Sequence, residues 1–159
     1  MLLHVGRAND HNGDRHACHQ VLSVAQPTYP LELEFCSECH HVQLAHVVDA
    51  DHMFRDYVYV SGTSPTFVRH FEDYANSLTA RAGLEAGDFI VEIGSNDGTL
   101  LHAFQKQGMK VLGVDPAVRL ASKATESGID TWAMFFDAGA AREIRGLHGS
   151  PRVIAANNV

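Results

Sequence analysis

Cysteine is scarce in this chain. The three in 159 residues, Cys18, Cys36 and Cys39, are too few and too unevenly placed for a disulfide-stapled scaffold. Basic residues are also thin: 12 Lys and Arg against 19 Asp and Glu leave a formal net charge of -7. That balance argues against nonspecific nucleic-acid binding, which needs a basic surface. No apolar run reaches the roughly 20 residues of a membrane-spanning helix, and the N-terminus carries no signal-peptide core. Internal repeats and low-complexity tracts are missing. The expectation is a soluble, cytoplasmic protein without membrane or nucleic-acid partners. At 45% hydrophobic and 19% charged residues, the chain has an ordinary globular composition. Its length suits one compact domain, or a small module attached to part of a larger one.

Histidine is the abundant exception. Eight of the eleven (His4, His11, His16, His19, His40, His41, His46 and His52) fall in the first 52 residues, with all three cysteines. The shift in composition predicts a boundary between residues 50 and 66. Residues 1–30, broken by Gly6, Gly13, Pro27 and Pro30, read as loop. Leu31-Glu32-Leu33-Glu34-Phe35 alternates as a half-buried strand does, Cys36-Ser37-Glu38-Cys39 makes a turn, and His41-Val42-Gln43-Leu44 returns. Cys36-x-x-Cys39 has the bite of half a zinc site, which normally needs four ligands. One completion is a Cys3His site from Cys18, Cys36, Cys39 and one of His16, His19 or His40. The alternative is a half-site lacking its partner pair, with reduced or weakly metallated thiols.

Beyond residue 50 the pattern changes to helix and strand. Asp51 to Tyr57 reads as a short helix, and residues 58–63 as an extended linker. Ser64 and Pro65 supply a cap and a first helical residue. Phe67, Phe71, Tyr74, Ala75 and Leu78 follow at helical spacing, predicting an amphipathic helix over 65–82 that Gly83 and Gly87 end. Strands are expected at 89–94, 111–115, 131–135 and 152–157, with helices at 98–107, 117–127 and 137–147. Such alternation implies a parallel sheet with right-handed crossovers.

The densest signal is Glu92-Ile93-Gly94-Ser95-Asn96-Asp97-Gly98, followed by Val114-Asp115. The glycines fall between a strand and a helix, and the acid ends the next strand. A nucleotide-like ligand needs this arrangement: close backbone approach, then a carboxylate for ribose hydroxyls. The spacing is not the G-x-G-x-x-G of a dinucleotide site, although Asn96 can adopt the left-handed backbone in a glycine's place. Glu92 and Asp97 would repel a pyrophosphate. S-adenosylmethionine has no phosphate and carries a sulfonium and an ammonium, so an acidic loop favours it over NAD. The plain alternative is a strand-to-helix turn with Asp115 capping the next helix.

These stretches together resemble the S-adenosylmethionine-dependent sugar C-methyltransferases, which methylate carbon 3 of nucleotide-linked deoxysugars. The resemblance runs through Tyr29-Pro30-Leu31-Glu32-Leu33 into Cys36-Ser37-Glu38-Cys39 and Val42-Gln43-Leu44. It continues through residues 57–64, 91–98, Gly113-Val114-Asp115-Pro116-Ala117 and Ala156-Asn157-Asn158-Val159. It implies an α/β, Rossmann-like class I methyltransferase half-sheet, strand order 3-2-1-4, preceded by a small zinc-binding β-hairpin module. The corresponding domains are a partial zinc-binding domain at 1–56, a linker or lid at 57–64 and the N-terminal part of the methyltransferase domain at 65–159.

By the same resemblance, Gly94 and Gly98 bring backbone against the methionine portion of S-adenosylmethionine, and Glu92 and Asn96 support the loop. Asp115 holds the ribose hydroxyls. Asn157, with Asn158 beside it, lies at the cofactor, and adenine sits near Met134-Phe135-Phe136. Tyr57, Tyr59, Ser61 and Thr63 form a lid, the alternative being an ordinary linker. The candidate zinc ligands, read from the residues themselves, stay Cys36, Cys39 and Cys18, with the incomplete half-site as the alternative. The implied chemistry is proton removal beside a ketone, then carbanion attack on the methyl group. Nothing in this chain supplies the base, and His70 and His102 read as helix-face residues.

The family also carries a first Cys-x-x-Cys pair upstream and a C-terminal substrate domain with a Tyr, Glu and His segment. Neither matches residues here, so the expectation is a fragment, inactive alone, whose last strand forms an apolar edge prone to association. The competing readings are a non-catalytic S-adenosylmethionine- or zinc-binding module and, less favoured, an NAD-binding Rossmann protein.

Overall fold

A computed structural model of the chain describes residues 28–159; Cys18, His16 and His19 lie outside them. The chain divides into two compact units, residues 1–47 and 48–159.

In the first unit, β1 (Leu33–Phe35) and β2 (Val42–Leu44) form an antiparallel pair. Leu33 lies opposite Leu44 and Phe35 opposite Val42, so alternation puts these four apolar side chains on one face. The turn is closed by Cys36 N–H donating to His41 O (2.9 Å) and His40 N–H to Cys36 O (2.8 Å). His40 takes a left-handed φ of 60°. Every described residue of this unit is exposed.

The second unit opens with α1 (Ala50–Phe54), whose Asp49 carboxylate accepts from His52 N–H. The expected linker contains a 3-10 turn at Ser61–Thr63. It tightens there because Thr63 Oγ1 donates to Val60 O at 2.9 Å. Helix α2 spans Pro65–Ala82; the Ser64 hydroxyl accepts from Phe67 N–H, and Gly83 ends the helix at φ 58°, where a left-handed residue satisfies terminal carbonyls.

The α/β alternation then runs β3 (Phe89–Ile93), α3 (Thr99–Lys106), β4 (Lys110–Val114), α4 (Val118–Glu126), β5 (Thr131–Trp132), α5 (Ala138–His148) and β6 (Val153–Ala156). All sheet pairings of these strands are parallel, in the order β5-β4-β3-β6. Counting only these four strands, from β3, gives 3-2-1-4. The first strand, β3, is central, with β4 and β5 to one side and β6 to the other, so the strand order reverses beside its carboxyl end, the place where open α/β sheets bind ligands.

Alternation along the strands divides the core between the two faces. Ile90 and Ala155 pack with Ala75, Leu100, Leu101 and Phe104. Val91, Leu112 and Val114 pack with Ile144 of α5. Phe104 and Leu101 are completely buried, each contributing about 1.5–3 kcal/mol by removal from water. The strand expected over 131–135 ends early: Met134 N–H turns back to Trp132 O at 2.9 Å, and the ladder stops. Among the described residues, β6 pairs only with β3; Ala155 is buried whereas Ile154 is 54% exposed.

Candidate cofactor site

The strand β3 delivers Glu92 to the carboxyl end of the sheet, and β4 delivers Asp115. Between them the loop alternates left-handed residues: Gly94 (φ 66°), Asn96 (φ 53°) and Gly98 (φ 77°). Glycine takes such backbone freely, and Asn is among the few others that do. A Cβ at Gly94 would also meet the Cγ1 tip of the exposed Val159 side chain at 2.1 Å, so that side chain would have to move.

The loop satisfies itself. Gly94 and Ser95 N–H donate to Val114 O (2.8 and 3.4 Å), and Gly98 N–H donates to Ser95 O (2.9 Å). Asn96 N–H donates to Asp115 Oδ2 (2.8 Å), Asp97 N–H to Asn96 Oδ1 (3.0 Å) and Thr99 N–H to Asp97 Oδ1 (3.3 Å). Every backbone donor from 94 to 99 is therefore engaged. A pyrophosphate-binding turn works by offering such donors freely, and this one does not.

A second segment is pinned across the loop. Ser61 N–H donates to Asn96 Oδ1 (3.0 Å), Asn96 Nδ2 donates to Tyr59 O (3.0 Å), and Gly62 N–H donates to Asp97 Oδ2 (2.9 Å). Gly62 approaches so closely that a Cβ would meet Asp97 Oδ2 at 2.6 Å. Residues 59–62 thus form a strap fixed by Asn96 and Asp97.

Strap, loop and strand ends enclose a cavity of about 890 Å³. Glu92, Gly94, Asn96, Asp115 and Asn157 all line it, with Asn158, Phe135 and Phe136. Tyr57, Tyr59 and Ser61 line it too. Gly98 does not: it stands at the start of α3 against Ile129. Thr63 and Met134 are likewise absent from the wall. Sequence reasoning assigned the apolar stripe of α2 to the core, yet Phe67, Phe71 and Tyr74 also form a wall of the cavity. Their aromatic density was the available signal. His70 joins that wall, whereas His102 pairs with Ser127 Oγ at 3.2 Å.

The electrostatics are one-sided, for among the described residues the lining contains Glu92 and Asp115 but no Lys or Arg. Asp115, 6% exposed, is well satisfied: Oδ2 accepts from Asn96 N–H, and Oδ1 from Ala117 N–H at 2.8 Å. Glu92 differs. It is 4% exposed, and its Oε2 has no hydrogen-bond partner. Burial pushes its carboxyl up to about 8, against the opposing hydrogen bond from Asn157; Asp97 and Asp115 raise it further. An unpaired buried carboxyl on the wall of an acidic, aromatic-lined cavity fits a cationic group, and the glycine loop fits a nucleoside-type ligand without phosphates.

In the hairpin, the Cys36 and Cys39 thiols are free and exposed. Backbone N–H groups of Cys39 and then Glu38, followed by the Cys39 side chain, hold the Cys36 thiol below its ordinary range, favouring the thiolate that binds metal. The pair supplies half of a tetrahedral set. No group of three or more potential ligands occurs among the described residues.

Parallel topology and a glycine loop at the central strand define a Rossmann-like α/β domain. Sequence comparison carries the assignment further. Residues 13–54 match the family described as "Putative zinc binding domain", a stretch containing Cys18, Cys36 and Cys39. The C-methyltransferase NovU of Streptomyces niveus is 36% identical over 126 residues, covering 79% of this chain and 30% of NovU. The chain is similar to that C-methyltransferase along most of its own length, and spans about a third of the length of the relative. Among solved structures, a SAM-dependent methyltransferase from Geobacter sulfurreducens, in complex with S-adenosyl-L-homocysteine, is 20% identical with a TM-score of 0.36, covering 55% of this chain and 36% of that one. Coclaurine N-methyltransferase, bound to N-methylheliamine and SAH, is 20% identical with a TM-score of 0.36, covering 53% and 26%. Overlaps of that size carry no argument about function. No helix among the described residues is long and apolar enough to cross a membrane.

Proposed function

We propose that this chain is the S-adenosylmethionine-binding portion of a cytoplasmic C-methyltransferase acting on a nucleotide-linked deoxysugar. The observation that carries the reading is the unpartnered, buried Glu92 Oε2 on a cavity beside a loop with every backbone donor engaged. Such a loop has nothing to offer a pyrophosphate, and the carboxyl lacks only a cation. The C-methyl-transfer part rests on the likeness to NovU, and the sugar part on the resemblance of the motifs at residues 57–64 and 156–159.

In this reading Asp115 accepts the ribose hydroxyls through the lone pairs its two backbone bonds leave free. Gly94 admits the methionine portion, Asn96 and Gly98 set the loop's path, and Asn157 fixes the Glu92 carboxyl beside it. Phe135 and Phe136 flank the adenine. Tyr57, Tyr59 and Ser61 lie over the ligand as a lid. The bound cofactor supplies an electrophilic methyl group; these residues bind it, orient it and keep water from it. Zinc is proposed for Cys36, Cys39 and Cys18.

The test is calorimetric titration of the purified chain with S-adenosylhomocysteine and, separately, NAD. Saturable binding of the first and none of the second is expected. Tighter binding of NAD would overturn the assignment. Methyl transfer to a nucleotide-linked deoxysugar is expected to be absent with this chain alone; turnover would show that its own residues include the base.

A further inference from the structure

Glu92 and Asp115 sit at neighbouring strand ends, line the same cavity and are almost equally buried, yet only Asp115 has both oxygens occupied. Glu92 keeps one oxygen bare, and its surroundings make a second negative charge unwelcome. The groups that bear on it are Asp97 from the loop, Asp115 from the end of β4 and the Asn157 amide from beyond β6. The remaining titratable side chains on the cavity wall are Tyr57 and Tyr59 near the strap and His70 and Tyr74 on α2. Among the described residues no Lys or Arg lines the wall; Arg55 stands 5.4 Å from the centroid of the Phe135 ring and is engaged with Asp51.

We infer that Glu92 is a proton-linked acceptor: it holds its proton in the free site and releases it to solvent when the cofactor's ammonium group arrives and takes its place as counter-charge. The inference rests on the function proposed above. The balance is simple. A carboxylic acid and a bound ammonium become a carboxylate–ammonium pair, and one proton passes to the buffer. An α-amino group is itself protonated at pH 7, so the ligand supplies a full charge without taking up a proton. The raised pKa of Glu92 is the other half of the same balance, because the carboxyl is then largely neutral at pH 7. Asp115 takes no part, since two backbone N–H groups already hold its oxygens.

The consequence is a site that admits neutral ligand parts easily but holds a cation tightly only after deprotonation. Affinity for an ammonium-bearing ligand should rise about tenfold per pH unit between pH 6 and 7, as one released proton requires.

The experiment is titration with S-adenosylhomocysteine at pH 7 in buffers of different ionisation enthalpy, which counts protons directly. Release of about one proton per bound ligand is expected for the chain and for the exposed-site control Glu143→Gln. Glu92→Gln keeps the shape of the carboxyl without the titrating proton, and should bind with no release and with affinity independent of pH. Saturable binding with the same heat in every buffer would overturn the inference and leave the cofactor assignment standing. Persistence of the release in Glu92→Gln would overturn it equally. Failure of the folded chain to bind at all would remove both the assignment and the inference. The wild-type proton count decides the matter even if the variant does not fold.

Discussion

The two units of this chain keep their shape by different means. Residues 28–47 present Leu33, Phe35, Val42 and Leu44 at 68, 62, 55 and 47% exposure, and no described residue there is buried. Residues 48–159 hold an apolar core on each face of the sheet, and Ile90, Leu101 and Phe104 in one of them are completely removed from water. A two-stranded hairpin alone is marginal in water, and burial among the described residues does not hold this one. Cys36 and Cys39 supply the obvious candidate, because metal binding in a small module is folding free energy. The α/β unit needs no such help, and can tolerate an unfavourable group such as Glu92 at its ligand site.

The largest expected effect follows from that contrast. Stripping zinc from the metal-loaded protein with a chelator should abolish amide protection across residues 33–44 while leaving residues 89–114 protected in hydrogen exchange. Equal loss in both units would erase the distinction drawn here.

Glu92 gives the next largest. Its folded pKa of about 8 lies above its unfolded value, so the native state binds more protons between the two. Stability is therefore present at low pH and lost as pH rises from the unfolded value toward about 8, by an amount on the order of 4 kcal/mol. Glu92→Gln should flatten that part of the stability–pH curve and be the more stable form at pH 8.5. Chemical denaturation across pH 5–9 would show superimposable wild-type and variant curves if the carboxyl were ordinary.

Asp115→Ala removes two charge-assisted acceptors, leaving Asn96 and Ala117 N–H unpaired. A loss of roughly 2–4 kcal/mol in S-adenosylhomocysteine binding is expected, read by titration on a variant whose circular dichroism is unchanged. Affinity within threefold of wild type would take the ribose role from Asp115. The smallest effect belongs to Asn96→Gly, which keeps the left-handed backbone but deletes the side chain that clamps the strap. It should cost about 1–2 kcal/mol and raise exchange at the Ser61 amide while the Gly94 amide stays protected. Unchanged exchange at Ser61 would mean that the strap holds itself.

Much of the α/β unit was legible because local chemistry and global packing agree there. Ser64, Pro65 and Gly83 bound α2 where their backbone preferences put them. Phe89 to Ile93 and Lys110 to Val114 are apolar runs between turn signals, and Asn96 proved left-handed as its side chain allows. Strand β5 was less legible: Trp132 and Met134 have strand-like side chains, but a backbone turn from Met134 N–H to Trp132 O ends the pairing. The strap was invisible as a clamp, since its bonds join residues 35 and 37 apart in sequence. The stripe of α2 was read as core, which accounts for Ala75 but not for the second use of Phe67 and Tyr74 on the cavity wall. Periodicity reports which face is apolar, without separating a face that meets protein from one that also meets a ligand.

The most direct test of the central claim is an amide NMR titration of the chain with S-adenosylhomocysteine. Shift changes concentrated at residues 92–98, 115–117 and 157, with strap residues 59–62 following and residues 28–47 unmoved, are the predicted result. A folded chain that shows no saturable change in the glycine loop, or that responds only in the hairpin, would contradict the account.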